Sequence, residues 1–279
     1  FPFVPYQFRL LQKVFGEIRK HGNSGTHLAG GERSMLSGFQ EAAQRIQNEN
    51  EFALAPFYLF YDTVSSFLNS DIRRVIERCQ EASEKGNGIE AQDVDVLKLL
   101  YLIRYVDDVK ANLDNIIILM ADNIQLDKIT KRDEVQKSLD RLLSQNYIGR
   151  TGETYNFLTN EEQDIQREIK MTPVDTSDVV GKIGSIIFDQ IYDIRKFRYG
   201  NGKYDFDFDR FVDNQAISNG SGGMVLQILT AATDVLEKRD NILMSSSSGR
   251  AVVVLADIDY YNRLENAIKI RKYIKQRNV

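Results

Sequence analysis

The chain has 279 residues, with 36 Lys and Arg against 40 Asp and Glu, and a net charge of −4. That length suits two or three compact units rather than one small domain, and the acidic balance excludes a global basic field for nucleic acid. A single cysteine, Cys79, excludes an internal disulfide framework and points to a reducing, cytoplasmic setting.

No apolar run approaches the roughly 18–20 residues of a membrane helix. The longest candidates, such as IIILMA at 116–121, are far too short, so no membrane partner is expected. FPFVPYQFRL lacks the charged start and apolar stretch of a secretory signal. The chain opens on Phe1 without Met, and an upstream portion is expected.

The first part, 1–88, reads as a helical bundle. PYQFRLLQKVFGEIRKHG sets Phe8, Leu11, Phe15 and Ile18 at spacings of three and four, with Pro5 for a first turn and Gly22 for a stop. A glycine-rich joint (Ser24, Gly25, Gly30, Gly31) leads into ERSMLSGFQEAAQRI, with Leu36, Phe39, Ala43 and Ile46 on one stripe. FYLFYDTVSSFL and SDIRRVIERCQEASEKG follow as two further helices, closed at Gly86, and Asn87–Gly88 marks a boundary.

Residues 89–172 have the order of a winged helix-turn-helix. DVDVLKLLYLIRYV and NLDNIIILMADNI are apolar helices, and KRDEVQKSLDRLLSQ is amphipathic with Val135, Leu139, Leu142 and Leu143 inward. NYIGRTGETYNFLT then supplies a wing, with strands beginning at Tyr147 and Tyr155 around a turn at Gly149–Gly152. Thr159 and Glu162 form a capping box for TNEEQDIQREIK.

Residues 173–279 turn α/β. VVGKIGSIIFDQIYDI is a helix, and KYDFDFDRFV alternates Tyr204, Phe206 and Phe208 with Asp205, Asp207 and Asp209, the pattern of a half-buried strand with inward aromatics. VLQILT is a strand and TDVLEKRDNILM a helix. AVVVLA has the continuous apolar run of a strand buried on both faces, and YYNRLENAIKIRKYIKQR closes the chain as a helix. The fold class is mainly α (α+β): a helical bundle, a central winged helix-turn-helix and a small C-terminal α/β domain.

Candidate chemistry is sparse. GNSGTH (22–27), GKIGS (181–185) and SSSSGR (245–250) lack the G-x-x-x-x-G-K-[ST] order that cradles phosphates, and they read as turns. With His21, His27 and Cys79 the only soft ligands, no zinc site is expected, and no other cofactor or catalytic residue within this chain. Cys79 reads as helix packing and the DFDFD run as a solvated strand face. Residues 94–170 hold eleven cations against fourteen acids, yet Lys131, Arg132, Lys137 and Arg141 on the amphipathic helix, with Arg150 in the wing, make a local cationic surface. That surface suits phosphate contacts with DNA, and winged helices equally serve as protein-docking modules. Arg33 sits in the first turn of its helix, where the dipole disfavours a cation, which makes it a candidate nucleotide-sensing arginine.

FPFVPYQFRLLQKVFGEIRKHG, HLAGGERSMLSGFQEAAQRI and the tail AVVVLADIDYYNRLENAIKIRKYIKQRNV resemble the large P-loop ATPase of bacterial BREX phage-defence systems, the BrxC/PglY family. The resemblance implies a lid-like helical bundle, a winged helix and an α/β domain downstream of an ATP- and Mg-binding motor. It implies a non-catalytic region that couples nucleotide state to DNA or to other defence-system proteins. Because the Walker motifs are missing here, ATPase activity transfers to no residue of this chain. Two other readings compete: a free-standing winged-helix regulator of DNA, and a STAND-type signalling ATPase region that binds protein partners.

Overall fold

The computed structural model describes residues 2–21, 31–218, 223–233, 239–246, 249–256 and 258–277, and of residues 31–34, 239, 241 and 245 the backbone alone. The chain divides into two compact units, Phe1–Arg167 and Glu168–Val279.

The first unit is helical. It comprises α1 (Pro5–Lys20), α2 (Gly31–Arg45), a 3-10 turn (Phe57–Phe60), α3 (Tyr61–Ser65), α4 (Ser70–Glu84), α5 (Ala91–Ile103), α6 (Leu113–Leu119) and α7 (Lys128–Ser144). A hairpin of β1 (Ile148–Thr151) and β2 (Thr154–Phe157) leads to α8 (Asn160–Met171), which crosses the unit boundary. Pro5 opens α1, and the Gln7 side chain ties that end down: its Oε1 accepts from Val4 N at 3.0 Å while its Nε2 donates to the Ala55 carbonyl at 2.7 Å. Asn112 and Asp127 cap α6 and α7 by accepting from backbone amides two or three residues on.

Helix α5 is the spine of this unit. Val96, Leu97, Leu99, Leu100, Tyr101 and Leu102 are all buried, so the helix is apolar around most of its circumference and α4, α7 and β2 pack around it. The strand that follows α5 in space is only a bridge. Asn112 pairs with Thr154, and Tyr155 N donates to the Ala111 carbonyl at 2.9 Å, so the segment between α5 and α6 borders the hairpin.

Two sequence expectations change here. FYLFYDTVSSFL is a 3-10 turn and a five-residue helix rather than one long helix. The Ser65 and Ser66 hydroxyls donate back to the Asp62 and Thr63 carbonyls at 2.7 and 2.8 Å, competing with continuation of the helix. The hairpin turn is Gly152–Glu153, not Gly149–Gly152: Gly149 pairs within β1 opposite Asn156, and Gly152 takes the positive φ (60°) that a two-residue loop requires.

The second unit is α/β. Helix α9 (Thr176–Ile186) runs into a π-helical turn (Ile187–Ile191). Then come β3 (Lys196–Tyr199), β4 (Tyr204–Val212), β5 (Gln215–Ser218), β6 (Met224–Leu229), α10 (Arg239–Ser246), β7 (Arg250–Val254) and α11 (Tyr260–Arg277). The sheet order is β3-β4-β6-β7 with β5 also beside β4; β3 and β5 are antiparallel to β4, whereas β4, β6 and β7 are mutually parallel. Val179, Val180 and Ile183 of α9 pack with Val212 and Ile228 of the sheet. Buried Asp213, at φ 50°, accepts from both Thr230 N and Thr230 Oγ1 at 2.7 Å and locks the β4–β5 turn to the end of β6.

Two strands are less buried than their sequences suggest. AVVVLA forms β7, which pairs only with β6 among the described residues and leaves Val253 and Val254 partly open to solvent. In β4 the inward position holds for Phe208 and fails for Tyr204 and Phe206, because that half of the strand extends past β6 and has only β3 beside it.

Candidate functional site

The candidate cations of α7 and the β1–β2 hairpin lie in the first unit, and most are engaged by carboxylates of the same chain. Arg141 donates from Nε and Nη2 to the two oxygens of Asp93, each at 2.7 Å, and Glu90 lies 3.0 Å from the same guanidinium. Asp93 is fully buried and also accepts from Glu90 N at 2.9 Å, closing the first turn of α5. Lys131, mostly covered, lies 3.1 Å from Asp122 and 3.7 Å from Glu134. Arg132 pairs with Asp114, and Lys137 with Asp133 at 2.6 Å.

Arg150 differs. Its Nε donates to the Gly152 carbonyl at 2.9 Å in the hairpin turn, and its guanidinium lies over the Tyr155 ring, 5.5 Å from the centroid. The structure therefore brings Lys131, Arg132, Lys137 and Arg141 onto one helix, with Arg150 in the neighbouring hairpin. Arg33 lies in the first turn of α2, which Gly31 begins; its side chain is outside the described residues, as are Ser24, Gly25, Gly30 and His27.

The capping box at α8 is built as the sequence predicts: Thr159 N donates to Glu162 Oε2 at 2.8 Å, and Glu162 N donates to Thr159 Oγ1 at 3.3 Å. Glu162 also takes a two-pronged pair from Arg104 at 2.8 and 3.0 Å, and Arg104 reaches the Phe157 carbonyl at 2.7 Å. Burial pushes the Glu162 carboxyl up, but these hydrogen bonds outweigh it and hold it below its ordinary range. Cys79 is buried in the core, and burial, with the nearby Asp93 charge, pushes its thiol up to about 12, which fits packing rather than nucleophilic chemistry.

One polar feature escaped the sequence reading. A cavity of about 540 Å³ opens among Arg45, Tyr58, Asp62, Asp95, Lys98 and Asp122. Desolvation lifts the Asp95 carboxyl to about 6, against the pull of Lys98, and lifts the Tyr58 hydroxyl to about 12. Asp62 pairs with Arg45 and stands 3.7 Å from Lys98. These residues are scattered between positions 45 and 122 with no local motif, so only the fold collects them. Among the described residues no group of three His, Cys, Asp or Glu is placed to hold a metal, and no helix is long and apolar enough to cross a membrane.

The geometry thus defines a helical unit with a hairpin-bearing helical cluster, joined to an α/β unit with a parallel sheet core. Residues 172–279 match the family model described as "BREX ATP-binding protein BrxC 4th domain with six-stranded beta sheet". Over residues 172–279 that match bears out the BrxC resemblance read from the sequence: this stretch is similar to a domain of the BrxC proteins of BREX phage defence. No solved structure matches the chain.

Proposed function

We propose that this chain is a non-catalytic region of a BREX phage-defence ATPase, in which the 89–172 region is a winged helix that carries nucleotide-driven changes to a partner. The observation behind the winged-helix reading is the Asn112–Thr154 bridge. It sets one extended residue beside the hairpin after the first helix, giving helix, bridge, helix, helix and two-stranded hairpin, an order that helix counting alone does not produce. On this reading ATP and Mg belong to the motor of the parent protein, and this region holds neither. Other defence-system proteins are the partners that membership suggests.

Protein is favoured over DNA as the partner of the winged helix. Lys131, Arg132, Lys137 and Arg141 already have carboxylate partners, so phosphates would have to displace Asp93, Asp114, Asp122 and Asp133. Exposed pairs exchange at little cost, whereas the buried Arg141–Asp93 pair does not. Arg150 supports the DNA reading, since its contacts are a carbonyl and a ring rather than an acid. A fluorescence-anisotropy titration with duplex DNA at low salt decides between them. The protein-docking reading expects no duplex binding at tens of micromolar. Salt-dependent duplex binding that is lost on reversing Lys131, Arg132, Lys137 and Arg150 to glutamate would replace it with the DNA reading.

A further inference from the structure

The hairpin of β3 and β4 carries a row of aromatic rings on one face. Phe197 is paired with Phe206 and Tyr199 with Tyr204, so the four rings stand on the same side of a two-stranded ribbon. They are between 42% and 63% exposed. The opposite face holds cross-strand ion pairs, Lys196 with Asp207 at 3.6 Å and Arg198 with Asp205 at 3.7 Å. Those polar pairs suit water, and they leave the aromatic face as the one that lacks a partner among the described residues.

The base of this ribbon is held firmly. Phe208, next on the aromatic side, is buried. Buried Arg210 lies over both Phe208 and Phe188, 5.5 and 5.1 Å from their centroids, and donates to the Asp193 and Ile194 carbonyls just before β3. The rings are therefore presented on a braced support.

We propose that this aromatic ribbon binds single-stranded nucleic acid by stacking bases on Phe197, Tyr199, Tyr204 and Phe206. Three observations favour that occupant over a protein. Every position on the face is aromatic and none is aliphatic, whereas protein-binding patches mix the two. Alternate residues along a strand stand about 6.6–6.8 Å apart, a spacing open enough to admit unstacked bases. Over residues 195–207, Arg195, Lys196, Arg198 and Lys203 exceed Asp205 and Asp207 by two charges, in a chain that is acidic as a whole. Lys203 also lies over the Tyr204 ring, 5.6 Å from its centroid, which puts a cation beside the stacking face for a phosphate. This site is in the second unit and does not depend on the winged-helix reading.

The test uses the full 279-residue chain and labelled fifteen-nucleotide oligothymidine and oligouridine, with duplex DNA as competitor. Micromolar binding is expected at low salt, with a log–log salt slope of about −2 for three phosphates on a single strand. A preference between the two oligonucleotides reports whether DNA or RNA is the source. The double variant Tyr199→Ser with Tyr204→Ser should weaken binding at least about tenfold, on the scale of lost base stacking, and Phe197→Ser with Phe206→Ser likewise. Since all four rings are substantially exposed, both variants should keep the wild-type melting transition; Lys203→Glu, which leaves every ring in place, should also weaken binding. Absence of binding at tens of micromolar, or binding that the ring variants leave unchanged, overturns the proposal. Concentration-dependent self-association abolished by the same variants, without oligonucleotide binding, would overturn it too and make the ribbon an interface between copies.

Discussion

Arg141 and Asp93 clasp one another with two hydrogen bonds of 2.7 Å, one partner on α7 and the other fully buried at the start of α5. The pair ties the helix that bears the candidate DNA cations to the spine of the first unit. An arginine so held is a poor phosphate ligand, because freeing it strands a carboxylate out of water.

Asp93→Ala should therefore destabilise the first unit by about 3 kcal/mol, the low end of the range for breaking a buried pair, because Arg141 keeps some access to water. The capping bond to Glu90 N is lost with it. Denaturant unfolding measures the change; a loss under about 1 kcal/mol would mean that Arg141 finds Glu90 as an equivalent partner.

Asp95 sets a pH signature. Burial raises its carboxyl from 3.8 to about 6, so between about pH 4 and pH 6 the folded chain holds a proton that the unfolded chain releases. Stability from this group is fully present below the unfolded value and is lost as pH rises through about 6. Asp95→Asn removes the titration, so the variant should gain on the wild type by about 1–2 kcal/mol at pH 7.5 and show little difference at pH 4. Thermal melts of both proteins across that range check it, and a constant offset at every pH would assign the effect to packing.

Helices whose caps and stripes lie close in sequence were legible: α1, α4, α7, α8 and α11 all stand where periodicity and capping residues put them. The bridge at Asn112 was not, since its partner Thr154 lies 42 residues on and the sequence around Asn112 carries no strand pattern. Burial was read less well than element type. KYDFDFDRFV and AVVVLA are strands as expected, but alternation and apolar runs report what a strand could bury, not whether a neighbour arrives to cover it. Tyr204, Phe206, Val253 and Val254 are the outcome. The cations of α7 showed the opposite gap: their positions were plain, while most of the acids that neutralise them come from other segments, Asp133 on the same face of the helix being the exception.

The chain is proposed to supply no ATP site of its own, since no phosphate-cradling loop occurs in its sequence. Calorimetry with ATP and Mg²⁺ should show no micromolar binding to the 279-residue chain. In a complete protein that carries the proposed ATPase motor, Arg33→Ala should lower turnover by about ten- to a thousand-fold if this arginine reaches the phosphates. Unchanged turnover would make it an ordinary surface arginine.

Arg210 offers the sharpest structural test, because a buried guanidinium braced by two rings and two carbonyls is costly to build and costly to lose. Replacing it with methionine keeps the stem and the contact with Phe188 and Phe208 but removes the donors. The carbonyls of Asp193 and Ile194 then have to find water, at a cost of about 1–3 kcal/mol. That cost falls on the approach to β3 rather than on the parallel core, where Val212 and Ile228 pack against α9. Arg210→Met should thus accelerate amide exchange across Lys196–Tyr199 and Tyr204–Asp207 while leaving β6 protected. Lysine at the same position should restore part of the protection, since it returns one donor group. Uniformly faster exchange through β6 and β7 would show instead that Arg210 supports the whole sheet, and unchanged exchange everywhere would show that the hairpin stands without it.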